Sequence, residues 1–120
     1  MAVTAITPEV LTWNTFDADA LAMTAPTAAA DGFTVDYGAQ DSKILLVFEN
    51  TSADTAYDVT IKAGDGIQGV ADVTQEIAFG KKALFVAESG RFKNVSGTNK
   101  GKVLIIPENA AVKMAAVVLP

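Results

Sequence analysis

The chain contains no cysteine and no histidine. Without Cys there are no disulfides and no thiolate metal sites, and nothing points to an oxidising destination. Without His the chain lacks the side chain whose ordinary pKa lies nearest neutrality, and the commonest metal ligand with it. Ser-His-Asp, Cys-His and zinc–His chemistry are therefore excluded outright. Long apolar runs are also missing. The longest, 44–48, 103–106 and 114–119, are far shorter than the ~20 residues of a membrane helix. Residues 1–10 lack the positive n-region and continuous apolar h-region of a signal peptide. The expectation is a protein made and kept in a cytosol. The sequons at Asn50 and Asn94 then read as chance, since Asn and Ser are common in turns.

Basic residues are absent from the first 42 positions, which carry six acids. Residues 1–80 hold twelve acids against Lys43 and Lys62, a net charge of −10. Residues 81–120 reverse this, with seven bases against Glu88 and Glu108, a net +5. One reading is that acidic and basic strands lie side by side in one sheet. A sharper one is that acidic and basic faces of neighbouring copies meet head to tail. Nucleic acid is disfavoured as a partner, because the bases are few and form no stripe interleaved with aromatics.

What is present suits one domain. A chain of 120 residues buries roughly two thirds of the surface its unfolded form exposes, and half its residues are hydrophobic, which excludes disorder as the main state. The apolar fraction leans on Ala and Val, with Trp13 and a few Phe and Tyr for bulk. That composition suggests a thin core between two packed sheets.

Residues 1–32 are rich in Ala and Thr and weakly periodic, and are expected to form an extended arm or edge segment with one or two short strands. Within it, 17–23 reads as a helical turn or, through Leu21, Met23 and Ala25, as an alternating strand. From Phe33 strand signals become regular. The run 43–49 fits a central strand buried on both faces. Tyr57, Val59 and Ile61 alternate with Asp58 and Thr60, a half-buried strand. Val73, Ile77 and Phe79 share a face that Gln75 interrupts. Further strands are expected at 83–86, 91–93, 101–106 and 111–119, with turns between. Seven or eight short strands at such spacing predict an all-β fold, an antiparallel sandwich or barrel over residues 33–120.

The motifs are modest. Residues 64–69 match G-x-G-x-x-G, but a dinucleotide fingerprint needs a helix to open there, and 70–79 reads as loop and strand. A Gly-rich strand connection is the better reading. Asp17 with Asp19, and Asp31, Asp36 and Asp41, offer carboxylates without a calcium-loop pattern. No enzyme constellation passes the usual tests of nucleophile, base and oxyanion donor. In 88–93, Arg91 beside Phe92 reads either as a charged hairpin turn or as an exposed contact point of the kind enriched at interfaces. The candidate partner contacts are Arg91, Phe92 and Lys93, with Asp65 and Gln68 of the Gly-rich loop. No cofactor or metal is expected.

The order of KILLVFEN at 43–50, VTIKAGDGIQG at 59–69, ESGRFK at 88–93 and the closing strands 102–106 and 112–119 resembles small head decoration, or capsid cement, proteins of tailed bacteriophages. The resemblance runs from about Phe33 to Leu119 and is least over the first 32 residues. It implies a β-sandwich or barrel bound outside an assembled head, bridging subunits of the phage major capsid protein. It also implies sister copies, with a trimer as the favoured form, and location on the virion exterior after assembly in the host cytoplasm. Another phage structural part, such as a tail-tube or head–tail connector protein, and a bacterial immunoglobulin-like binding module are the competing readings. No membrane or nucleic-acid partner is expected.

Overall fold

Alternating apolar and polar residues decide which side of each strand meets the core. In the computed structural model, which describes residues 3–17 and 21–120, this pattern builds two facing sheets. One has the order β1 (Thr4–Ile6), β3 (Phe33–Asp36), β8 (Lys102–Pro107), β5 (Tyr57–Ile61), β6 (Val73–Ile77). The other has the order β2 (Glu9–Val10), β9 (Val112–Val118), β4 (Ile44–Asn50), β7 (Lys82–Phe85). Phe33, Val35, Ile61, Val103 and Ile105 of the first sheet meet Ile44, Leu46, Phe48, Val112 and Met114 of the second in one continuous core. The all-β sandwich is thus observed, with nine strands among the described residues.

The sheets are mixed rather than purely antiparallel. β1 runs parallel to β3, and β2 parallel to β9. Parallel neighbours need a crossover of a dozen or more residues, and the N-terminal segment supplies it. After β1 the chain passes Pro8, crosses to the edge of the other sheet as β2, and touches that edge again where Thr24 bridges Met114. It then returns to place β3 beside β1. The expected helical turn or strand at 17–23 lies partly outside the described residues, which omit 18–20.

Val47, Ala115 and Val117 are buried yet stand apart from the inter-sheet core. They lie on the outer face of the second sheet. Leu11, Phe16 and Leu21 line a groove over Val47 and Val117, while Ala22 and Thr24 flank Ala115. The N-terminal segment therefore covers a second apolar surface, and this explains why 43–49 reads as buried on both faces.

Two bulky residues expected to add mass to the core do not. Trp13 is 75% exposed and Phe79 is 52% exposed. Trp13 follows β2, where the chain has left the sheet edge, and Phe79 lies beyond the end of β6. Gln75 breaks the alternation because β6 is an edge strand. Its position borders the open slot between β6 and β7, so a polar side chain there reaches water. The charge segregation is partly a sheet effect. Asp36 pairs in register with Lys102, and Glu49 lies between Lys82 and Lys113, with an ion pair to Lys82 at 3.2 Å.

Candidate functional site

Gly-rich residues 64–69 and the turn 88–93 are remote in sequence, and the fold brings them together. The loop between β5 and β6 is closed at its neck by Asp72, which accepts from the Ala63 N–H at 2.7 Å and pairs with Lys62 at 2.8 Å. These bonds, that to Lys62 first, hold the Asp72 carboxyl below its ordinary pKa. Beyond the neck the loop runs back against α1 (Ser89–Phe92). The Gly64 N–H donates to the Arg91 carbonyl at 2.8 Å. A Cβ on Gly64 would stand 2.5 Å from the Lys93 carbonyl oxygen, and one on Gly90 would collide with the Gln68 side chain. Close backbone approach is therefore what glycine supplies at Gly64, whereas at Gly90 the neighbour is the tip of a side chain. No helix opens after Gly64, and the chain goes on to β6.

The turn 88–93 is one turn of α-helix rather than a hairpin or a strand. The Arg91 and Phe92 N–H groups both donate to the Glu88 carbonyl at 3.1 Å, and the Ser89 N–H donates to Asp41 Oδ2 at 2.8 Å. Only Lys93 keeps a strand-like bridge, to Val103. Coiling turns Phe92 inward. It is 2% exposed and packs edge-to-face on Phe85 at 5.7 Å. The expectation of Phe92 as an exposed contact is corrected accordingly. The Arg91 guanidinium lies over the Phe92 ring, 4.9 Å from its centre, and forms no ion pair with Asp36, Asp58 or any other described acid.

Asp65 serves the fold in the same way. Oδ1 accepts from the Val95 N–H at 2.6 Å and Oδ2 from the Ser96 hydroxyl at 2.7 Å. These bonds, that from Ser96 first, hold its carboxyl below the usual carboxylate range. With segment 94–96 fastened, Ile67, Gln68, Gly90 and Val95 line an open groove of about 540 Å³. Its surface is mostly apolar, because Ile67 is fully exposed and Val95 is 58% exposed. Sequence reading missed both residues. Each is a lone apolar residue in a polar turn, and only their meeting across 28 positions makes a patch.

Tyr37 anchors the site from below. Its buried hydroxyl donates to the Ala87 carbonyl at 2.7 Å and accepts from the Ala87 N–H at 3.0 Å. Burial pushes the phenol up to about 12 against the lowering effect of the Ala87 bond, and the nearby Asp41 charge adds to the rise. A tyrosine in the unfolded chain ionises near pH ~10. Its stabilising contribution is thus fully present below pH ~10 and is lost as pH rises towards ~12. Tyr37→Phe leaves both Ala87 groups unpaired and is expected to cost about 1–3 kcal/mol near neutrality. Denaturant melts of both proteins between pH ~9 and ~12 should show the gap closing. A gap constant with pH would remove Tyr37 as the alkaline-sensitive group.

A second surface lies around the N-terminal segment, where Phe16 is fully exposed and Trp13, Leu21, Leu84 and Leu119 are largely so. Phe16, Leu21, Leu84 and Leu119, with Leu11 and Leu45, border an apolar groove of about 710 Å³ on the outer face of the second sheet. The two grooves share no residue. Among the described residues no cluster of acids could hold a metal ion, and no helix is long and apolar enough to cross a membrane. No family model, curated protein or solved structure matches the chain.

Proposed function

We propose that this chain is a viral structural protein that binds the outside of an assembled phage capsid and stabilises it by bridging major capsid subunits. The observation that carries this reading is the pair of separate apolar grooves on one small rigid sandwich. Monomeric soluble proteins seldom expose large contiguous apolar patches, and those that do use them for binding. A cement must hold two neighbours at once, which takes two patches that do not overlap. The order of segments over residues 33–119, similar to that of head decoration proteins, agrees with this role. On a lattice each copy needs only modest affinity, because many contacts act together.

The test is co-sedimentation with purified heads lacking this chain, run at several salt concentrations. Wild-type protein should pellet with the heads, and less so as salt rises. Arg91→Glu reverses a charge that has no ion pair among the described residues, one position after Gly90 at the rim of the first groove, and should weaken binding about tenfold or more. Its melt should shift little, since the lost cation–ring contact is worth about 0.5–1 kcal/mol. Full binding by Arg91→Glu would move the contact away from this rim. Binding to tails alone would favour a tail or connector part, and no binding to any virion part would reject the function.

A further inference from the structure

A sheet edge offers backbone donors and acceptors to any strand that can pair with it, and folds usually blunt such edges with charge, proline or brevity. Three of the four edges here are blunted. β1 and β2 are three and two residues long and are separated by Pro8. On β6 the exposed residues Thr74, Gln75 and Glu76 are all polar. The fourth edge, β7, is different. Leu84 is 64% exposed and Val86, just past the strand, is 52% exposed. No acid and no proline lies between Phe79 and Ala87.

The register with β4 fixes which backbone groups of β7 are free. The Asn50 N–H donates to the Lys81 carbonyl at 3.0 Å, and the Asn50 carbonyl accepts from the Gly80 N–H at 2.9 Å. Even-numbered residues of β4 therefore turn their backbone groups towards β7. The odd-numbered neighbours Lys43 and Thr51 bond the other way, to Leu119 and Ala111. Leu46 and Phe48 stand opposite Phe85 and Ala83, which accordingly direct their N–H and C=O groups at β4. By the same alternation Lys82 and Leu84 direct theirs out of the sheet, and Val86 continues the series. Beside this edge a slot of about 130 Å³ between β6 and β7 opens onto Phe48, Val59 and Ile61 of the core.

We infer that β7 of one copy pairs antiparallel with β7 of a second copy, about a two-fold axis at Leu84, so that the second sheets of both copies run on as one. The axis sets Leu84 against Leu84 and each Lys82 against the other copy's Val86. All three outward residues find a mate, no like charges meet, and Lys82 keeps its own ion pair with Glu49. An axis at Lys82 would oppose two lysines, and one at Ala83 or Phe85 would leave an outward residue beyond the pairing. The sequence of the strand is thus its own complement. An axis normal to the sheet also brings the two flanks together, so the apolar slot of one copy faces that of the other. The contact is isologous and closes at two copies. The grooves at Phe16 stay on one side of the joined sheet, and the inference stands independently of what surface the protein coats.

Single cysteines test the register, since the chain has none of its own. Residues directly opposite in a hydrogen-bonded antiparallel pair have Cα atoms about 5.5 Å apart, within reach of a disulfide. Under mild oxidation Leu84→Cys should therefore form a covalent dimer at least tenfold faster than Lys82→Cys or Gln75→Cys. Two Lys82 positions would lie four residues, or about 14 Å, apart along the strands. In sedimentation velocity the wild type should pass from monomer to dimer as concentration rises to about 1 mM, with nothing larger. Leu84→Lys sets like charges on the axis and should stay monomeric while melting like wild type, because the position is exposed. Leu84→Pro removes only an outward N–H, as edge strands tolerate, and should also stay monomeric. Equal cross-linking of the three cysteines, a wild type that stays monomeric or forms trimers, or a Leu84→Lys protein that dimerises like wild type would each overturn the inference. A monomeric wild type that nonetheless sediments with heads would overturn it while leaving the proposed function standing.

Discussion

Asn50→Ala is expected to lower the melting temperature by about 12 °C or more. Asn50 ends β4 and has no exposed surface. Its Nδ2 donates to the Thr55 carbonyl and to the Ile77 carbonyl, both at 2.9 Å, and its Oδ1 accepts from the Ser52 N–H at 3.0 Å. One side chain therefore holds the turn after β4 and ties β4, in one sheet, to the end of β6 in the other. Alanine would leave three backbone groups without a partner. The Ile77 carbonyl is buried, while the other two bonds are only partly so. At about 1–3 kcal/mol for each unsatisfied buried group, and less where water can enter, the sum is about 3–4 kcal/mol. For a domain of this size each kcal/mol moves the melt by about 4 °C. Asn50→Asp keeps the shape but turns an acceptor towards two carbonyls and buries a charge, so it should be no better than alanine at neutral pH. Thermal melts of the two variants check this, and a shift under about 3 °C for either would show that the inter-sheet tie is dispensable.

The second large effect is expected at Phe92. Truncating a buried Phe to Ala costs about 3–5 kcal/mol, which again predicts a fall of about 12 °C or more. Phe92→Leu keeps most of the volume and should cost less than ~1.5 kcal/mol. The alanine variant removes the ring that Phe85 packs against and over which Arg91 lies. The turn bearing Arg91 and Lys93 should therefore loosen, and, on the capsid-binding role proposed above, head binding should weaken even at temperatures where the protein is folded. A melt indistinguishable from wild type, with binding lost, would instead make Phe92 a direct contact, as its sequence neighbourhood alone suggests.

β5 was legible from strict alternation, and β4, β8 and β9 from short continuous apolar runs bounded by turn residues. All four lie close to where the sequence places them. The stretch 91–93 was not legible as a helical turn. Three residues carry no period, and the bonds that coil them go to Glu88 and Ser89 backbone groups that any residue has. The parallel pairing of β1 and β2 was equally hidden. Strands of three and two residues are too short to show alternation, and their partners lie 29 and 108 positions away.

Of the candidate contacts, Arg91, Lys93, Asp65 and Gln68 do converge on one end of the sandwich, by way of the Gly64–Arg91 hydrogen bond and the packing of Gln68 on Gly90. What they form there differs from a cluster of exposed groups. Asp65 is a clasp, Phe92 is core, and the surface belongs to Ile67 and Val95.

By itself the sequence determined the side-chain chemistry that is missing, the all-β character and the separation of acidic from basic charge, because composition and local period are properties of the chain alone. Only the tertiary structure decided which strands are neighbours, that Trp13 and Phe16 stand outside while Phe92 goes in, and that Ile67 meets Val95. Each of those depends on groups far apart in sequence competing for the same interior, and a period of two states which side of a strand is apolar without stating what will cover it.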